Sequence, residues 1–280
     1  MSTAYLLAYN VHIEVYAVYW RYAVRDIDRE EPAMAVAKKE GEEGGAEGPS
    51  LWERMERPAP LPRASLTLER IAAAAVEIAD EEGGAAVTMR RLAAKLGVAP
   101  MAAYRHVDGK DDLWALMIDR VSRDLTVPEG TTDWREVLRS YALQSRELML
   151  AHPWMAAMPT SVIMLTPSRM AVAERQLAAL AVCGLDADSM MAAFRAVTSF
   201  VHGSAQTEIA LRDYQERNGW TSGDETRQAL APQMRYLIST GRYPAFEQYA
   251  LGATRKDDRA WEFAFGLDCV LDGIGLRLGV

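Results

Sequence analysis

The sequence predicts an all-α protein: a three-helix head containing a helix-turn-helix, with a larger helical body behind it. Three observations support this. Alanine, leucine and methionine are abundant and strand formers sparse. Apolar residues recur at helical spacing in segments separated by glycine and proline. Residues 87–110, VTMRRLAAKLGVAPMAAYRHVDGK, lay out two short helices around a tight turn.

Residues 1–65 read as an N-terminal extension and linker. The stretch MSTAYLLAYNVHIEVYAVYWRYAV is aromatic and apolar, but Asn10, His12, Glu14 and Arg21 interrupt it. It therefore offers no uninterrupted apolar run of about 18 residues to span a membrane. It also lacks the basic start and small-residue cleavage site of a signal peptide. Met34 opens a segment that looks like an ordinary start. Residues 1–33 are thus either an upstream extension outside the native protein or a poorly ordered arm. The following KKEGEEGGAEGPS has the composition of a flexible linker. Arg54, Arg57 and Arg63 form either an arm toward a minor groove or a solvated charged face.

The head spans residues 66–122. Leu68, Ile71, Ala75 and Ile78 form one stripe over 67–82, and Gly83-Gly84 ends it. Thr88 caps the next helix. Met89, Leu92, Ala93 and Leu96 form its inner face, while Arg90, Arg91 and Lys95 lie outside it. Gly97 suits a left-handed helix end, and Val98 plugs the turn. Pro100 suits a first helical position, where a missing amide costs nothing. The second helix runs to about His106. Asp108 and Gly109 stop it and start another, with Asp111 and Asp112 in the first turn.

The body spans residues 123–280. Trp134, Leu138, Tyr141, Ser145 and Leu148 mark one helical face, broken at His152-Pro153. A helix over 168–182 carries Met170, Ala173, Leu177 and Leu180 on one stripe and stops at Gly184. A long helix, capped by Asp186, runs from Ala187 to about Asp213, and 214–224 read as a loop. A helix near 225–239 precedes the breakers Gly241 and Pro244. The last helix, from about Asp257 to Leu278, carries Ala264, Leu267, Leu271, Ile274 and Leu278 on one face. Gly266, Gly273 and Gly275 are costly there unless close helix approach compensates.

A net charge of −8 argues against coating nucleic acid non-specifically. It leaves room for a small basic head on an acidic body. Arg90, Arg91, Lys95, Arg105 and Lys110, with Tyr104 and His106 among them, concentrate on that head. The two cysteines, Cys183 and Cys269, lack metal-ligand spacing and have apolar neighbours, which suggests buried thiols in a reducing cytoplasm. The four histidines show no metal-binding spacing. No phosphate loop or nucleophile motif appears. Enzyme chemistry, metal and cofactor are therefore not expected.

The segment from Leu68 to Val121, above all TMRRLAAKLGV, AAYRHV and GKDDLWALMIDRV, resembles the DNA-binding head of the tetracycline-repressor (TetR/AcrR) family. The resemblance implies roles position by position. Arg90, Pro100 and Met101 would face base edges, and Tyr104, His106 and Lys110 would contact phosphate. Thr88 would contact the backbone at the helix start. Ala102 departs from the family, where serine or threonine is common. With Met101, Ala102 and Ala103 together, the recognition helix has few hydrogen-bond donors. Thymine methyls and DNA shape should then matter, with Arg90 and Arg105 supplying polar readout.

The resemblance also implies an all-helical ligand and dimer domain, with two long helices from each subunit forming a four-helix interface. A homodimer would bind a pseudo-palindromic double-stranded operator, one head per half-site. On the long helix, Phe194, Thr198, His202 and Gln206 recur every four residues. They face a small-molecule effector, a subunit interface or simply water, and Trp154 and Met158 are candidates to wall the same cavity. The expected function is a repressor released by a small molecule whose identity is unknown, with no membrane partner. A regulator controlled by a protein partner is the alternative, and a helical interaction scaffold is a third reading.

Overall fold

A computed structural model describes Trp52 and residues 66–127, 130–159 and 163–279. The readings for residues 1–33, for the linker and for Arg54, Arg57 and Arg63 lie outside these. Every regular element among the described residues is helical. The head holds α1 (Leu68–Glu82), α2 (Met89–Leu96), α3 (Pro100–Ala103) and α4 (Lys110–Ser122). The body holds α5 (Trp134–Ala151), α6 (Pro167–Ala181), α7 (Ala187–Asn218), α8 (Gly223–Ser239), α9 (Pro244–Gly252) and α10 (Arg259–Leu278). Short 3-10 turns cover Gly84–Ala86 and Pro153–Ala157.

Local chemistry sets the head's boundaries. Thr67 caps α1 by accepting from Arg70 N–H, and Thr88 caps α2 by accepting from Arg91 N–H at 3.1 Å. Gly97, at φ 68°, closes α2, and Val98 N–H bonds back to Ala93 O. Pro100 opens α3. Ile71, Ala75 and Ile78 of α1 pack with Val87, Leu92, Val107, Leu113, Met117 and Ile118 in one apolar cluster. That cluster does not stop at residue 122: Met149, Trp154, Met155, Ala205 and Ile209 belong to it. A second cluster fills the body, with Leu138, Leu180, Leu267 and Leu271 fully buried between α5, α6, α7 and α10. Truncating any of these leucines to alanine costs about 2–5 kcal/mol. Arg135 pairs with Asp272 at 2.8 Å and Arg139 with Asp268, tying α5 to α10.

Several expectations need correction. The recognition helix is regular only over Pro100–Ala103; the chain continues through turns to His106, whose N–H bonds to Ala103 O. Helix α7 runs to Asn218 rather than Asp213, so the expected loop at 214–224 shrinks to four residues, 219–222. Its polar end consists of residues that tolerate a solvated helix, and Gly219, at φ 70°, closes it. Pro244 starts a helix, α9, that the breaker reading overlooked. On α6, Met170 is 53% exposed, and the buried face includes Arg169 and Gln176 with Val172, Ala173 and Leu180. The cysteines are not both buried: Cys183 is half-buried and Cys269 lies on the exposed side of α10. No described helix is long and apolar enough to cross a membrane.

Candidate nucleic-acid interface

The α2-turn-α3 unit separates its inner residues from its outer ones. Leu92, Ala93, Ala103 and Val107 are essentially buried, and Met89 and Leu96 pack half-buried against the head core. Around them, Thr88, Arg90, Pro100, Tyr104 and Arg105 are exposed, while Ala102, His106 and Lys110 are half-buried. Met101 is 69% exposed. An exposed methionine at the start of a helix buries little within the chain and presents a flexible apolar side chain to solvent. The nine residues expected to touch DNA thus line one continuous stretch from the α2 cap to the start of α4.

The basic residues fall into two groups that the sequence did not distinguish. Arg91 grips Glu82 through Nε at 3.0 and 3.1 Å. Lys95 pairs with Glu77 at 3.0 Å and Glu81 at 3.3 Å. These side chains fasten α2 to the acidic end of α1. The hydrogen bond from Arg91 holds the Glu82 carboxyl below its usual value, and the bond to Glu77 raises the Lys95 amine. Arg90 and Arg105 make no ion pair among the described residues. Within the described residues no carboxylate takes up their donors, the condition that a base or phosphate contact would require. Lys110 stands over the Trp114 ring, 5.9 Å from its centroid. Its ammonium is partly held in place while its donors remain open.

The six residues considered for a small molecule do not share one apolar cluster: Phe194 belongs to that of the body, Trp154 and Met158 to that of the head, and Thr198, His202 and Gln206 to neither. Phe194 and Thr198 are buried in the body, and the Thr198 hydroxyl donates to Arg195 O of its own helix at 3.2 Å. His202 is half-buried, and burial holds its imidazole below the usual pKa. Gln206 is exposed and donates to Ala156 O at 3.3 Å. Trp154 and Met158 pack with the head cluster instead. Trp154 Nε1 donates to Asp80 Oδ1 at 2.8 Å.

Two buried polar groups on α6 were missed. The Arg169 guanidinium, 2% exposed, donates to Ser122 Oγ at 2.8 Å and Ser145 Oγ at 2.9 Å. Burial lowers its pKa, opposed by Tyr141. Among the described residues no carboxylate lies within ion-pair distance of it. Gln176, fully buried, has no hydrogen-bond partner for Oε1. The two share a face at seven-residue spacing, so a polar residue recurring on an apolar stripe was the available signal. An open pocket of about 360 Å³ lies between α7 and α10, lined by Phe200, Gly203, Glu208 and Phe263 among others. Among the described residues no group of three or more His, Cys, Asp or Glu side chains could hold a metal ion.

Comparisons with known proteins cover both the head and the body. Residues 71–117 match the family described as bacterial regulatory proteins, tetR family, and residues 127–278 match the tetracyclin repressor-like C-terminal domain. The HTH-type transcriptional repressor DrrR1 of Streptomyces coeruleorubidus is 34% identical over 226 residues, covering 80% of this chain and 83% of that protein. The crystal structure of apo ActR from Streptomyces coelicolor aligns with a TM-score of 0.64 at 27% identity, over 78% of this chain and 99% of ActR. ActR in complex with actinorhodin aligns at 0.61 and 26% identity, over 75% and 96%. The C-terminal match alone spans more than half of the sequence, and the N-terminal match falls on the helix-turn-helix derived above. The chain belongs to the tetR family of DNA-binding transcriptional regulators and is not an enzyme.

Proposed function

We propose that this regulator is a dimeric repressor that leaves a pseudo-palindromic operator when a small molecule binds its helical body. The observation that carries the DNA half of this reading is the division of labour on α2. Arg91 and Lys95 pair with α1, whereas Met101 and Tyr104 are exposed and Arg90 and Arg105 are exposed with no ion pair among the described residues. The effector half draws on the ligand-bound relative and on the unpartnered Gln176 Oε1. A buried amide oxygen without a donor costs about 1–3 kcal/mol, and a ligand hydroxyl or amine supplies that donor. A subunit contact through α7 and α10 is favoured by Trp261 and Phe265, 41% and 58% exposed on α10. Two heads on one symmetric body suit a two-fold operator. Cytoplasmic action at DNA follows from the same reading.

The test is a DNA-shift titration on the gene's own upstream region with wild-type protein, Arg90→Ala and Tyr104→Phe. Retention of full affinity by both variants sinks the assignment of this surface. Thermal shift with actinorhodin and a panel of small apolar compounds tests the effector. Stabilisation by none of them favours the alternative, control by a protein partner.

A further inference from the structure

The DNA-binding head and the body meet at an aromatic joint. The Asp80 carboxylate, on the last turn of α1, faces two body residues at once. Its Oδ1 lies 2.8 Å from His152 Nδ1 and 2.8 Å from Trp154 Nε1. Trp154 is 6% exposed. Its ring lies 5.7 Å from that of Trp114 on α4. Gly84 leaves the space for both: a Cβ there would stand 3.2 Å from each tryptophan. Beyond Trp114 comes Lys110, whose ammonium sits over that ring. On the other side, the 153–157 turn is held to α7 by Gln206, which donates to Ala156 O. A contiguous series of contacts thus runs from the long body helix, through one turn, to a side chain on the DNA-facing surface.

We propose that Asp80 is a positioning residue that latches the 152–157 turn of the body to the back of the head, so that the body fixes the orientation in which Lys110 and the α2-α3 surface meet DNA. The physical argument is one of competing constraints. The apolar contacts between Trp114 and Trp154 are non-directional and allow the rings to slide. The two hydrogen bonds to one carboxylate oxygen are directional and fix both the indole and the imidazole relative to α1. Losing the acceptor leaves the apolar joint in place but frees its angle. A change in α7 reaches the head through Gln206 and the same turn; this last step rests on the effector reading above, whereas the latch does not.

The test compares full-length wild type with Trp154→Phe, which keeps a ring and removes the N–H, and with Asp80→Ala and Asp80→Asn. DNA selected by the wild type from a random pool is used as a complete operator and as a single half-site. Trp154→Phe and Asp80→Ala should each lower the ratio of operator to half-site affinity by about tenfold, with unchanged helix content. Asp80→Asn keeps an acceptor oxygen and should recover most of the ratio. A purely structural role would weaken both DNAs alike. Exchange of the Trp154 indole proton gives a second readout that needs no DNA: slow in wild type, fast in Asp80→Ala. An unchanged affinity ratio in both Trp154→Phe and Asp80→Ala overturns the latch, as does fast indole exchange in wild type. If wild type selects no DNA, the functional reading falls while indole exchange still decides the latch.

Discussion

Arg91 on α2 and Glu82 on α1 form an ion pair in which Nε stands 3.0 and 3.1 Å from the two carboxylate oxygens. The pair fastens the helix that precedes the recognition turn. Its consequence for the neighbouring arginine is direct: Arg90 lies next in sequence, points elsewhere, and has no such partner among the described residues. Arg90→Ala should weaken operator binding by about 1–3 kcal/mol, the range of a base-reading arginine. Arg91→Ala should leave specific affinity within about threefold, because it removes a brace rather than a contact. Anisotropy titrations at one fixed salt concentration separate the two.

The same pair gives a pH dependence. The Arg91 hydrogen bond lowers the Glu82 pKa. A carboxyl lowered on folding adds stability above its unfolded pKa, and that contribution disappears as pH falls through the folded value. Wild type should therefore exceed Glu82→Gln in melting temperature near neutrality, and the two should converge as pH falls through the lowered folded pKa. The side chains are 39% and 37% exposed, so the difference is small and shrinks with salt. A gap that widens on acidification would contradict the assignment.

Lys110 is expected to touch phosphate from its place over Trp114. Removing one phosphate contact should reduce the slope of log affinity against log salt by about 1, uniformly across DNA sequences. Lys110→Ala measured across a salt series tests this. An unchanged slope would leave the lysine to the cation–π contact alone.

His202 is held below its usual pKa by burial. The folded state then favours the neutral ring, while the unfolded chain binds a proton near its ordinary value of 6.5. Stability should consequently decline as pH drops below about 6.5 and level off beneath the folded pKa. His202→Gln should flatten that part of the curve in chemical denaturation. A wild-type curve that is itself flat between about pH 7 and 5 would rule out the depressed ring.

Gly266 on α10 faces the Phe200 ring of α7, and a Cβ there would stand 2.8 Å from two ring atoms. The ring must turn away, disturbing its 5.3 Å contact with Phe263. Gly266→Ala should cost about 1–3 kcal/mol from overpacking, less whatever the better helix propensity of alanine returns. Gly273 meets nothing within 4 Å, so Gly273→Ala in the monomeric state should be neutral or stabilising. Paired thermal melts decide between them.

Much of the head was legible because its signals are local. Thr88, Gly97 and Pro100 each act within one helical turn, so their roles follow from neighbours in sequence. Thr88 indeed accepts from Arg91 N–H, and Gly97 indeed takes the left-handed backbone. The different fates of Arg90 and Arg91 were not legible, because the deciding carboxylate belongs to another helix. Trp154 posed the same difficulty: its aromatic character suggested a cavity wall, but its N–H is used by Asp80, 74 residues away. Gly266 was read as a close approach, and the approach lies between α7 and α10 of one chain. The end of α7 was misplaced for a different reason. Gln215, Glu216, Arg217 and Asn218 look like a loop by polarity, yet a helix with solvent on nearly every side suits such residues.

The recognition helix has one further consequence, for how such a regulator diverges. Of the three residues after Pro100, only Ala103 is buried; Met101 is open to solvent and Ala102 half so. Folding therefore constrains the third position strictly and the first two hardly at all. On the proposed reading of this surface, a duplicated gene that changes residues 101 and 102 would alter which bases it prefers while its head remains folded. Ala102 gaining a hydroxyl would be the smallest such step. On that reading, base preference is separable from the architecture of the head.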